Sequence, residues 1–235
     1  MASLFTVLFV AVMCYVILML FKYLSKKKEE KPETGGIKNI IFDVGQVLVD
    51  YDWETYLDSF GFEPAKRERI AKATFQSPVW DERDRGLYEE DVYLKQFQEL
   101  DPEDAEDIEK VIRGTGGTIH KRPYADTWVK YLKSKGYHLY ILSNYASYMI
   151  DHTKKELTFR KEMDGEVFSC YVNQLKPEPE IYQTILDKYQ LKPEESVFID
   201  DRPENCQGAQ EQGIHTICFK DFKQVTADLE KLGVK

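Results

Sequence analysis

The chain has 235 residues, 31% of them charged and 43% hydrophobic, enough for one sizeable α/β domain with a smaller insertion. Its formal net charge of -9 argues against nucleic acid as a partner. The four cysteines, Cys14, Cys170, Cys206 and Cys218, show no CxxC spacing, so neither a zinc site nor a disulfide framework is indicated and a reducing compartment fits best.

In chain order, the first feature is the apolar run from Leu4 to Phe21, which Tyr23 and Leu24 extend past Lys22. About 18 to 20 such residues span a bilayer as a helix. A cleaved signal peptide is the alternative, but no Lys or Arg precedes the run and no small-residue cleavage site follows it. Lys22, Lys26, Lys27 and Lys28 cluster on the C-terminal flank, which predicts an uncleaved single-pass anchor over 1–25 with the rest of the chain cytoplasmic. Residues 26–36, ending in a Pro- and Gly-containing stretch, read as a polar linker.

Ile40, Ile41 and Phe42 then form an apolar run suited to a fully buried parallel strand, ending on Asp43. Gly45 follows and lets the chain turn. Residues 51–118 have another texture, with charges interleaved with aromatics at helical spacing, as in Trp53, Tyr56, Leu57 and Phe60. No buried strand is signalled there, Asp101-Pro102 reads as a helix start, and Gly114 to Gly117 is a flexible return. Within this helical insertion the run Phe75 to Leu87 carries Trp80, Arg83 and Arg85 near a glycine turn, read as a solvated charged face around core aromatics.

Beyond Pro123, helix and strand alternate. Ala125 to Lys135 is a helix closed by Gly136, and Tyr137 to Leu142 a strand ending on Ser143-Asn144. Glu166 to Val172 reads as a strand, Glu180 to Tyr189 as a helix opened by Lys176-Pro177-Glu178-Pro179, and Ser196 to Ile199 as a strand ending on Asp200-Asp201. A helix spanning Gly208 to Gly213 and a last strand, Ile214 to Phe219, complete the pattern. The implied fold is α/β, a Rossmann-like doubly wound parallel sheet over 37–50 plus 119–235, with an α-helical cap inserted over 51–118.

In a parallel sheet the carboxyl ends of the strands share one edge, so Asp43, Ser143 with Asn144, Lys176, and Asp200 with Asp201 can converge on one crevice. A nucleophilic carboxylate, hydroxyl and amide donors, a lysine and a carboxylate pair suit phosphoryl transfer. Carboxylates hold Mg²⁺ against a substrate phosphate, the lysine adds positive charge, and Asp43 attacks phosphorus to become a phosphoaspartate. Arg202 beside the pair either orients it, contacts substrate or stands in a surface ion pair. His120, His138, His152 and His215 are isolated and read as structural, and no phosphate-cradling glycine loop is present.

Taken in order, IIFDVGQVLVD, ILSN, LKPEPEIY and VFIDDRPEN resemble the four motifs of the haloacid dehalogenase superfamily, a phosphatase-rich group with a helical cap inserted after the first motif. The resemblance covers about Ile37 to Phe219. It implies Asp43 as nucleophile, Ser143 and Asn144 on the phosphoryl oxygens, Lys176 as the catalytic and substrate-binding cation, and Mg²⁺ on Asp43, the Gly45 carbonyl, Asp200 and Asp201. The FDxGxVxxD form of the first motif is similar to bacterial sugar-phosphate phosphatases of the glucose-1-phosphatase type, so the implied partner is a small phosphorylated metabolite.

One departure matters. Most phosphatases of that superfamily carry a second Asp two residues after the nucleophile, as general acid and base, and here the position is Gly45. The missing proton transfer is worth about 10²- to 10⁴-fold. Its loss predicts a preference for good leaving groups, such as sugar 1-phosphates or acyl phosphates, unless Asp50, Asp52 or a residue of the cap gives the proton. Haloacid dehalogenases also lack that Asp, but their chemistry needs no metal and leaves Asp200-Asp201 unexplained. A catalytically weak, membrane-tethered phosphate-binding module is the remaining alternative.

Overall fold

The computed structural model describes residues 36–235. The anchor expected over 1–25 and the linker up to residue 35 lie outside the described residues. Among the described residues no helix is long and apolar enough to cross a membrane.

Five parallel strands, β1 (Asn39–Phe42), β4 (His138–Ser143), β5 (Gly165–Phe168), β6 (Ser196–Asp200) and β7 (His215–Cys218), form one sheet in the order β5-β4-β1-β6-β7. Strand β1 is central, and Phe42 is level with Ile141 on one side and Ile199 on the other. Its alternate side chains enter different cores. Ile40 and Phe42 pack with Trp128, Val129, Val225 and Leu229, whereas Ile41 packs with Ile181, Ile185 and Ala209 on the opposite face. Helices therefore cover both faces, which is why β1 reads as an unbroken apolar run. Each of Ile40, Ile41 and Phe42 is wholly buried, and burial of such a side chain contributes about 1.5–3 kcal/mol.

The chain leaves this sheet through β2 (Val49–Tyr51) and returns through β3 (Ile119–Lys121), which pair antiparallel as a separate two-stranded ribbon. No sequence signal announced the ribbon, because three residues are too few to show a period. Between its strands lie five helices: α1 (Trp53–Asp58), α2 (Pro64–Ala73), α3 (Pro78–Arg85), α4 (Glu90–Leu100) and α5 (Ala105–Arg113). They enclose a core of their own around Leu57, Ile70, Phe97, Ile108, Val111 and Ile112, rimmed by Trp53, Tyr56, Phe60 and Trp80. The Asp52 carboxylate caps α1 by accepting the Thr55 N–H at 3.0 Å. Asp101, expected as a cap, makes no capping bond and lies 3.5 Å from the Arg69 guanidinium, while a 3₁₀ turn over Pro102–Asp104 precedes α5.

Three sequence expectations need correction. The strand expected over Glu166 to Val172 stops at Phe168, and after α6 (Ala125–Ser134) and α7 (Ser147–His152) the residues Ser169–Val172 form a helical turn, α8. There the Ser169 hydroxyl accepts the Tyr145 N–H at 2.9 Å and donates to the Asp84 carbonyl at 2.5 Å. Those tertiary bonds override the strand-like composition of Ser-Cys-Tyr-Val. The helix expected over Gly208 to Gly213 begins earlier and runs Pro203–Glu211, with Pro203 in its first turn. Arg83, expected on a solvated face, is 2% exposed. Its guanidinium sits 5.1 Å over Trp80 and 5.3 Å over Tyr148 and is bonded through two nitrogens to Glu90.

Candidate active site

Asp43 is the residue at which β1 meets the loops, and Asp200 occupies the same row on β6. The Lys176 ammonium lies between them, 2.8 Å from Asp43 Oδ1 and 2.6 Å from Asp200 Oδ2, and donates to the Leu142 carbonyl at 3.0 Å. All three donors of the ammonium are thus used, and the side chain is 1% exposed. The Ser143 hydroxyl, from the end of β4, donates to Asp43 Oδ1 at 2.7 Å. Two neighbours thereby fix one oxygen of Asp43.

Asp200 is fully buried and fixed from the other side. It accepts the Arg202 N–H at 2.8 Å and the Asn205 amide at 3.0 and 3.1 Å. Asn205 is the last residue of the fourth motif, so its role was within reach of the sequence. Asn144 turns away from Asp43: its amide nitrogen donates to the Lys176 carbonyl at 3.0 Å, and its oxygen accepts the Lys176 N–H at 2.8 Å. The Asn144 side chain therefore fixes the loop that delivers Lys176. Arg202 lends its backbone to Asp200, while its guanidinium bonds Glu204 at 2.7 Å.

The electrostatics follow from burial. Asp43 is pushed up to about 6, chiefly by burial and also by Asp200, against the downward pull of Lys176 and of the Lys176 and Ser143 hydrogen bonds. Burial works against the Lys176 charge, but Asp200 and Asp43 outweigh it and hold the ammonium above its ordinary range. Burial and Asp200 raise Asp201. The site thus sets three aspartates against one ammonium.

That excess suits a divalent cation. One carboxylate oxygen from each of Asp43, Asp200 and Asp201 lies within 4.8 Å of the others, and among the described residues no other cluster of three such ligands occurs. Hard cations take oxygen ligands of this kind. The Gly45 carbonyl already accepts the Val47 N–H at 2.7 Å and has a second lone pair free to serve. None of the four histidines enters a ligand cluster.

These groups open into a cavity of about 200 Å³, lined by Asp43, Lys176 and Asp201 from the sheet edge and by Trp80, Asp81 and Asp84 from α3. Tyr51, Asp81 and Asp84 were not anticipated as cavity residues. The two carboxylates sit in the charged run DERDR, which has the composition of any solvated helix. A larger apolar groove of about 550 Å³, between helices Ala125–Ser134 and Phe222–Lys231, contains none of this chemistry.

The haloacid dehalogenase-like hydrolase family matches residues 37–213. The chain belongs to that family. This hydrolase is 26% identical over 191 residues to a D-ribitol-5-phosphate phosphatase of Bacteroides thetaiotaomicron, a match covering 77% of the chain and 90% of that protein. It is 34% identical over 107 residues to the bifunctional epoxide hydrolase 2 of Rattus norvegicus, covering 43% of the chain. The match spans only 19% of that longer relative. Among solved structures it resembles a HAD family enzyme from Bacteroides thetaiotaomicron determined with magnesium and inorganic phosphate. That likeness has a TM-score of 0.64 at 23% identity and covers 81% of this chain and 99% of that one.

Proposed function

We propose that this hydrolase is a Mg²⁺-dependent phosphatase acting on a small, sugar-phosphate-like phosphomonoester through a phosphoaspartate on Asp43. The observation that carries the reading is the Lys176 ammonium held between Asp43 and Asp200, with Asp201 completing a three-carboxylate cluster. Ser143 and Lys176 hold one oxygen of Asp43, which leaves Oδ2 to attack phosphorus. Lys176 also balances charge as two anions meet. A divalent cation on Asp43, the Gly45 carbonyl, Asp200 and Asp201 supplies further charge neutralisation when bound. A dehalogenase would make no use of that cluster, and a relative of matching length is named as a phosphatase of a sugar-alcohol phosphate.

A panel of phosphorylated metabolites and 2-haloacids decides between the readings. Inorganic phosphate should appear with Mg²⁺ and cease with EDTA, and no chloride should be released. Chloride without phosphate would make the protein a dehalogenase, and neither product would leave a binding module.

We further propose that residues 1–25 anchor the hydrolase in a membrane with its catalytic part cytoplasmic, on the strength of the lysines that follow the apolar run. Protease added to intact cells should spare the domain and digest it after lysis. Digestion in sealed cells would reverse the orientation.

A further inference from the structure

Position 45 offers the leaving group no proton. A Cβ there would meet only Asp43 Oδ2, at 3.8 Å, so the space is open but carries no acid. The nearby carboxylates of the first motif are engaged elsewhere: Asp50 pairs with Arg122 at 2.9 Å and Asp52 caps α1. Neither lines the cavity with Asp43, and Asp84 does.

Asp84 is in the last turn of α3, three residues after Asp81, so both lie on one face of the helix. That turn is fastened to the sheet domain at several points. Ser169 bridges the Asp84 carbonyl to the Tyr145 N–H. The Asn173 amide donates to the carbonyls of Arg85 at 3.0 Å and Gly86 at 3.1 Å. The Arg85 guanidinium grips Glu178 through two nitrogens, at 2.9 and 2.7 Å. Gly86, at φ 72°, runs so close to α8 that a Cβ would stand 2.7 Å from the Cys170 backbone.

We propose that Asp84, reaching the site from the inserted helices, is the general acid and base that Gly45 cannot be. The assignment rests on the phosphatase reading. As the Asp43 Oδ2–P bond forms and the bond from phosphorus to the ester oxygen breaks, the Asp84 carboxyl gives its proton to that oxygen and the alcohol leaves. In the second half, the Asp84 carboxylate takes a proton from water as the water oxygen bonds to phosphorus. The Asp43–P bond breaks, inorganic phosphate is released, and both aspartates return to their starting forms.

The surroundings suit this role. Burial pushes Asp84 up to about 7, with the Arg83 guanidinium and the Ala146 N–H pulling down and Asp81 and Asp43 pushing up. Tyr51, Tyr145 and Cys170 also face it, and burial keeps all three protonated. Near neutrality both forms of Asp84 are populated, as a group that must give and then take a proton requires.

The test compares p-nitrophenyl phosphate, whose leaving group needs no proton, with an alkyl phosphate, whose leaving group does, using the full chain with Mg²⁺. Asp84→Asn keeps an oxygen for the Ala146 N–H. It should lower kcat/KM on the alkyl ester by about 10²- to 10⁴-fold and on the aryl ester by a far smaller factor. In the wild type, the ratio of alkyl to aryl kcat/KM should fall as pH rises through about 7, which tests the donor even if the variant folds poorly. Equal losses on both esters, or a ratio flat with pH, would overturn the assignment. So would a selective loss at Asp81→Asn with none at Asp84→Asn. A wild type inert toward both esters would instead sink the phosphatase reading, and the donor with it.

Discussion

Replacing Asp43 with Asn is expected to reduce phosphate release to background, a loss of about 10⁶-fold, the size found when the nucleophile is removed from an otherwise intact site. An amide is too poor a nucleophile to make the bond to phosphorus. The substitution is otherwise mild, because Asn keeps an oxygen for the Ser143 hydroxyl and the Lys176 ammonium, now 2.7 and 2.8 Å away. Stability separates this loss from misfolding. Asp43 is held near 6, above an unfolded carboxyl near 4, so the folded state keeps a proton that the unfolded state has released. The Asp43 contribution to stability is therefore lost as pH rises from about 4 through about 6, and an uncharged amide has no such loss. In EDTA at neutral pH, Asp43→Asn should accordingly melt at or above the wild-type temperature. Turnover within tenfold of wild type would remove Asp43 from the chemistry, and a collapsed melting temperature would mean that its carboxylate is chiefly structural.

Lys176→Met is expected to damage both fold and activity. The ammonium is the one cation in direct contact with Asp43 and Asp200 among the described residues, and it is buried with them. Methionine fills much of the volume but leaves buried carboxylates facing one another, and breaking a buried pair in this way costs about 3–5 kcal/mol. For a domain of this size that corresponds to a fall of about 10 °C in Tm. Mg²⁺ should restore part of it, since a cation that binds only the folded cluster stabilises by mass action, about 2.7 kcal/mol at a hundredfold excess over Kd. Thermal melts with and without Mg²⁺ read both effects, and kcat reads the loss of charge balance. A variant that melts and turns over like wild type would show that Lys176 is dispensable to the cluster.

The site residues on the sheet were legible because of a physical regularity: strands buried on both faces are written as apolar runs, and the first polar residue marks the shared edge. That regularity gave Asp43, Ser143 and Asp200 their places, and motif order linked Lys176 to them. It does not say where a polar side chain turns once it reaches the edge. Asn144 reads like a ligand for phosphoryl oxygen, yet its side chain is spent on both backbone groups of Lys176. The ribbon of β2 and β3 was hidden by its length, and α8 by hydrogen bonds from partners 24 and 85 residues away in sequence. Asp84 was least legible of all. In Asp81-Glu82-Arg83-Asp84-Arg85 nothing in the composition distinguishes the buried arginine or the two cavity-lining aspartates, because docking, not composition, separates them.

The two carboxylates proposed for bond making and proton transfer hang on different parts of the fold. Strand β1 is paired along its length on both sides, so its amides should exchange with solvent only when the whole domain opens. Asp84 lies outside that sheet, in a turn held to it by the bonds from Ser169, Asn173 and Glu178 and by the close approach at Gly86. Exchange of the α3 amides, measured against those of β1, would show whether the proposed acid is held as tightly as the proposed nucleophile.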